Sequence, residues 1–165
     1  MNLTSSYDPA AQFDPYKFDR NKKAIPFLSR GTRFPEFSNF YQPANLILHL
    51  GVKLPTVEHH YQAQTAFLMQ NDSLFQKIAE STHGVQTPME VKRAARHFKN
   101  TGLSKIDQLQ LKVVSPFIMR PILIAKFQQN EDLKRLLEAT GNAELWECNI
   151  SDRFWGVGLS PADAY

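Results

Sequence analysis

The chain has 165 residues, 42% of them hydrophobic, and carries a net charge of +3. That length buries a sizeable core without staples, and Cys148 as the sole cysteine excludes both an internal disulfide framework and a zinc site built on several thiolates. The mild basicity, with a pI near 9.0, favours a phosphate-bearing ligand but is far from the dense basic stripe of a dedicated nucleic-acid binder.

Residues 1–23 mix Tyr7, Phe13, Tyr16 and Phe18 with Pro9, Pro15 and several charges. They show neither helical nor strand period, so an irregular N-terminal arm is expected ahead of one domain over 24–165. The opening Met1-Asn2-Leu3-Thr4 has no basic start or apolar block, which argues against a secretory signal and makes the cytoplasm the expected compartment. Segments 25–28, 45–50 and 52–54 read as short strands, the last two hinged at Gly51 into a small antiparallel pair.

From Thr56 the pattern turns helical, with Thr56 as the N-cap and Val57, Tyr61, Gln64 and Phe67 recurring at helical spacing to about Gln70. A short helix fits 73–80. Thr87-Pro88-Met89-Glu90 combines a capping box with proline at the first helical position, and this helix should reach about Lys99 and end at Thr101-Gly102. A further helical stretch runs from near Ser104 to Gln128; Pro116 and Pro121 each remove a backbone donor, so two packed segments are expected rather than one rod. Its most apolar part, 117–127, is interrupted by Arg120, Pro121 and Lys126 and falls short of the roughly 20 residues that span a bilayer. The last helix opens near Asn130, sets Leu133, Leu136 and Leu137 on one side and stops at Thr140-Gly141. A candidate strand over 144–148 and a glycine-punctuated loop over 152–158 follow. The expected class is mainly α (α+β): about five helices with a small antiparallel sheet.

Glu58 falls at the second position of its capped helix, among unpaired backbone N–H groups at the positive end of the helix dipole, which favours the ionised form. Such a carboxylate can orient a ribose hydroxyl, activate water or stabilise positive charge on an anomeric carbon. From composition alone, an ordinary first-turn glutamate accounts for it better. Tyr61 and Gln62, three and four residues on, share its face and form a polar edge, although a tyrosine so placed is more often a core boundary. His59 and His60 are adjacent and cannot point the same way, so no metal is expected on this helix. In Asp152-Arg153-Phe154-Trp155-Gly156-Val157-Gly158 the glycines allow close backbone approach and Trp155 offers a stacking surface, against the plainer reading of a turn with a core-plugging tryptophan. Lys92, Arg93, Arg96 and Lys99 make a basic side on the third helix, usually a solvated face, from which one or two residues can meet phosphate. Cys148 shows neither the base nor the electropositive setting of a nucleophile and reads as a buried or inert thiol.

Four segments taken in order, Phe37-Ser38-Asn39-Phe40-Tyr41, 55–64 around Glu58, Lys126-Phe127-Gln128-Gln129-Asn130 and 152–158, resemble the NADAR (YbiA-like) family over about residues 25 to 158. The resemblance implies a compact, mostly helical domain that acts on N-glycosidic bonds of ribosides, including riboflavin-pathway intermediates and ADP-ribose attached to guanine, with no cofactor and no metal. It implies Glu58 and Asp152 as the catalytic carboxylates, with Asn39, Tyr61, Gln62, Lys126 and Trp155 around the substrate and Ser38, Phe40 and Gly156 beside them in the same segments. Arg33, Arg93 and Arg96 are the candidate phosphate contacts. The implied partner is an ADP-ribosyl or phosphoribosyl substrate, free or attached to nucleic acid, and not a membrane. Family members commonly carry a lysine shortly after Tyr-Gln-Ala-Gln, where this chain has Thr65, and a tryptophan ahead of the methionine matched by Met119, where it has Leu109 or Leu111. They also usually continue past the tryptophan–glycine motif with a closing helix, where this sequence ends at Tyr165. A second function class therefore stays open: a non-catalytic binder or sensor of ADP-ribose or a related nucleotide.

Overall fold

The computed structural model describes residues 24–28, 34–83, 86–160 and 162–164; the arm expected over 1–23 and the candidate phosphate contact Arg33 lie outside the described residues. In chain order the elements are β1 (Ala24–Phe27), a 3-10 turn (Pro35–Phe37), β2 (Ile47–His49), β3 (Val52–Leu54), α1 (Val57–Leu68), α2 (Asp72–Ala79), a second 3-10 turn (Glu80–His83), α3 (Pro88–Gly102), α4 (Lys105–Gln128), α5 (Glu131–Ala139) and β4 (Glu144–Glu147). Among the described residues, five α-helices with two small strand pairs match the expected mainly α (α+β) class. The chain divides into two units, Asn39–Gln129 and Met1–Ser38 together with Asn130–Tyr165.

In the unit Asn39–Gln129, β2 and β3 form an antiparallel hairpin with Ile47 opposite Leu54. Leu50 and Gly51 both take positive φ, 50° and 78°, as a tight two-residue hairpin turn requires. Leu54, Ala63, Ile78 and Val91 make a buried cluster from β3, α1, α2 and α3, with Val52, Leu74 and Phe75 packed against it. Each large side chain buried there contributes about 1.5–3 kcal/mol. The open edge of β2 is covered by a side chain: Gln129 Oε1 accepts from Leu48 N at 2.8 Å while Gln129 Nε2 donates to Leu48 O at 2.8 Å. One amide thereby supplies the pairing that a further strand would make.

The expectation of two segments over 104–128 is corrected. Lys105–Gln128 is one helix of 24 residues with Pro116 and Pro121 inside it. Both prolines are exposed, and the carbonyls that lose an N–H partner four residues earlier belong to Lys112 and Phe117, which are exposed as well. On this solvent-facing side the usual cost of an interior proline is lowered, while the opposite face with Leu111, Ser115, Ile118 and Ile122 stays buried.

In the other unit, β1 and β4 pair in parallel, with Ile25 opposite Leu145, a pairing that the period of these short runs did not reveal. The ladder continues as Cys148 N donates to Phe27 O at 2.8 Å, and Phe27 meets Phe37 edge to face at 5.8 Å. Cys148 is buried and free, and burial pushes its thiol up from the ordinary range. No helix of the described residues is long and apolar enough to cross a membrane.

Candidate active site

The start of α1 is fixed by Thr56, whose hydroxyl oxygen accepts from His59 N at 3.3 Å. The same hydroxyl lies 2.8 Å from His59 Nδ1, and His59 Nε2 lies 3.1 Å from Gln86 O. A carbonyl only accepts, so Nε2 carries the proton and Thr56 donates to Nδ1. His60 Nε2 donates to Ile47 O at 2.8 Å, and burial lowers the His60 pKa to about 4. Both histidines are thus neutral structural links.

Glu58 is buried, 4% exposed, and its backbone N–H donates to Asn39 O at 3.0 Å. Asn39 is thereby tied to the first turn of α1. Glu58 Oε1 accepts from Gln62 Nε2 at 2.8 Å, and Gln62 Oε1 accepts from Lys99 Nζ at 3.2 Å. The Lys99 ammonium also lies 5.3 Å from the centre of the Tyr61 ring, within range of a cation–π attraction. Burial lowers the Lys99 pKa to about 8 against the opposing pull of Glu58, with Lys92 and Arg96 adding to the depression.

Tyr61 is buried and its hydroxyl lies 2.7 Å from Ser115 Oγ. Ser115 donates its one proton to Leu111 O at 2.7 Å, so Tyr61 is the donor between the pair and pins α1 to α4. Thr65, one turn beyond Gln62, is buried and donates to Tyr61 O at 2.8 Å. Its hydroxyl is spent inside the helix. Lys126 is fully buried near the rings of Tyr41, at 5.6 Å, and Phe127, at 5.1 Å. Lys92 Nζ lies 5.3 Å from the Phe40 ring centre, whereas Arg93 and Arg96 are exposed.

The structure therefore gathers Glu58, Tyr61, Gln62, Asn39 and Phe40 of the expected residues, together with Lys92 and Lys99 from the basic side of α3. By helical period residues 92, 96 and 99 fall in one stripe of α3, whereas 93 is turned about 100° from 92.

Ser38, Asp152, Trp155 and Gly156 belong to the other unit and are described within it. Ser38 is buried and its N–H donates to Pro35 O at 2.9 Å. Asp152 Oδ1 accepts from Phe154 N at 3.1 Å and Trp155 N at 2.9 Å, folding the loop into a side-chain-stabilised turn. Trp155 is half-buried, its ring edge to face with Phe154 at 4.7 Å. A Cβ on Gly156 would sit 2.9 Å from both Asp152 O and Glu147 O, so the loop's own backbone requires this glycine.

The face of α1 opposite Glu58 lines an apolar cleft of about 190 Å³ with His49, Leu54, His60, Gln64, Phe67 and Phe75 among its walls. His49 Nε2 and Gln64 Nε2 are buried without a hydrogen-bond partner among the described residues. That cleft is lined mainly by apolar groups, whereas Glu58 sets a buried, oriented carboxylate on the other face, and chemistry on a glycosidic bond needs a carboxylate.

This arrangement defines an α+β domain with a buried glutamate, a polar relay and cations along one helix. The model of the NADAR domain matches residues 6–165, and the chain belongs to that family. It is similar to N-glycosidase YbiA of Escherichia coli (strain K12), 35% identical over 134 residues, 81% of this chain and 75% of that protein. An N-glycosidase of Nostoc punctiforme is 32% identical over 65% of this chain and 63% of its own length. A riboflavin biosynthesis protein of Vibrio vulnificus is 31% identical over 73% of this chain and 29% of its own. Among solved structures, the NMR structure of E. coli YbiA superposes with a TM-score of 0.66 at 32% identity, covering 83% of this chain and 74% of that one.

Proposed function

We infer that this chain is an N-glycosidase, a hydrolase of N-glycosyl bonds, and propose that its substrate is an ADP-ribosyl group, such as that on guanine, or a related phosphoribosyl compound. The observation that carries the reading is Glu58: buried, held by Gln62 at 2.8 Å, in a family whose relatives bear the name N-glycosidase. Breaking a ribosyl N-glycosidic bond builds positive charge on the anomeric carbon. A fixed carboxylate in a water-poor setting stabilises that charge and directs the attacking water. In this reading Asp152 is the second acidic residue, shaping the loop on which Trp155 receives the departing base, and Lys92, Arg96 and Lys126 are the cations offered to phosphate. No cofactor or metal takes part, and the cytoplasm is the proposed location.

The test is incubation of the purified protein with an ADP-ribosylated guanosine nucleotide and with a phosphoribosyl intermediate of the riboflavin pathway, followed by chromatography. Release of free base is expected from one of them, and Glu58→Gln abolishes it. Absence of release from both removes the reading. Thr65, its hydroxyl bonded to Tyr61 O, supports the rival reading of a non-catalytic nucleotide binder. That rival predicts calorimetric binding of ADP-ribose without turnover.

A further inference from the structure

We propose that Lys99 is a positioning residue for Glu58 and acts through Gln62. A glutamine amide has one accepting end and one donating end, and an ammonium only donates. Lys99 Nζ donates to Gln62 Oε1 at 3.2 Å, so that end of the amide faces α3. The other end, Nε2, is thereby turned to Glu58 Oε1 at 2.8 Å. A cation on one helix thus sets the polarity of an amide on another, and the amide presents an N–H to the buried carboxylate one turn earlier.

The geometry leaves Lys99 well held for this task. Its Nζ lies over the Tyr61 ring at 5.3 Å, and the Tyr61 hydroxyl is anchored on Ser115 at 2.7 Å. Its carbonyl accepts from Gln108 Nε2 at 3.0 Å, which fixes the C-terminal turn of α3. The charged groups that act on its ammonium are Glu58 from α1 and Lys92 and Arg96 from its own helix. On α2 Asp72 and Lys77 are exposed, and on α4, whose Gln108 meets the end of α3, Lys105 is exposed and Asp107 is bonded to Ser104 at its own helix start.

A neutral amine accepts as well as donates. Once Lys99 loses its proton, the Gln62 amide is free to rotate, and a rotated amide would set a carbonyl oxygen against the Glu58 carboxylate. Burial has brought the Lys99 pKa down to about 8, so the relay opens within an accessible pH range. Neither residue makes or breaks a covalent bond in this scheme. The inference rests on the reading of Glu58 as the reacting carboxylate.

The experiment pairs kinetics with a readout that needs no turnover. Side-chain amide signals of Gln62 are followed by NMR from pH 6 to 10 in the wild type, Lys99→Arg and Lys99→Met, alongside kcat and KM for base release from an ADP-ribosylated guanosine nucleotide. The wild-type Gln62 signals are expected to titrate with a midpoint near 8 and kcat to fall over the same range. Lys99→Arg keeps its charge at every pH used, so both transitions vanish and its kcat at pH 7 stays well above that of Lys99→Met. Lys99→Met lowers kcat about 10- to 100-fold with KM nearly unchanged. A wild-type Gln62 signal that does not titrate, or Lys99→Met with wild-type kcat and the same alkaline limb, overturns the proposal. Titration of Gln62 near pH 8 in a protein without turnover would keep the relay and remove the glycosidase reading instead.

Discussion

The two acidic segments, around Glu58 and around Asp152, use their carboxylates in different ways. Glu58 is buried and linked through side chains to Gln62 and Lys99 on a second helix. Asp152 is half-buried, and its Oδ1 serves the N–H groups of Phe154 and Trp155 two and three residues on. A carboxylate held by side chains keeps its place while presenting charge to a substrate. Asp152 Oδ1 organises the turn that carries Phe154 and Trp155.

Substitutions that sharpen this contrast differ in expected size. Glu58→Gln keeps the volume and removes the charge, and base release should fall roughly a hundred- to ten-thousand-fold with the melting profile little changed. Asp152→Asn retains an oxygen for both backbone donors, so turnover should fall less than about tenfold, well short of a general acid–base loss. A fall as deep as that of Glu58→Gln would make the two carboxylates equal partners in the chemistry. Asp152→Ala removes the acceptor of two solvent-accessible N–H groups and should cost about 0.5–1.5 kcal/mol of stability by denaturant titration. Gly156→Ala should also destabilise, since backbone oxygens at 2.9 Å surround the new methyl.

Acid should act on the Glu58 unit through its histidines. Burial lowers the His60 pKa to about 4 from 6.5, so the unfolded chain binds the proton first. The His60 contribution is fully present above pH 6.5 and is lost as pH falls through about 4, by at most about 1.4 kcal/mol for each pH unit in that window. His60→Gln should flatten this part of the pH–stability curve measured by urea unfolding. The smallest effect is expected from Thr56→Ala, where loss of the helix cap costs about 1 kcal/mol and slightly loosens the turn that carries Glu58.

Local rules made much of this legible in the sequence. The caps at Thr56 and Thr87 mark helix starts by side-chain chemistry that operates within four residues, and Gly141 marks a stop by its left-handed backbone, φ 56°. Three features lay beyond that reach. The parallel pairing of β1 with β4 joins residues more than a hundred positions apart. The unbroken α4 depends on the exposure of Pro116 and Pro121, which only packing decides. Lys99 looked like one more solvated cation, because nothing in its neighbourhood along the chain announces Gln62, 37 residues earlier. Glu58 itself was found by resemblance, since its helix position alone suits any first-turn glutamate.

The most direct test is quantitative base release from an ADP-ribosylated guanosine nucleotide by the wild type and by Glu58→Gln, both shown to be folded. The account predicts turnover by the wild type and loss of at least a hundredfold in the variant. Equal release by the two proteins would contradict it.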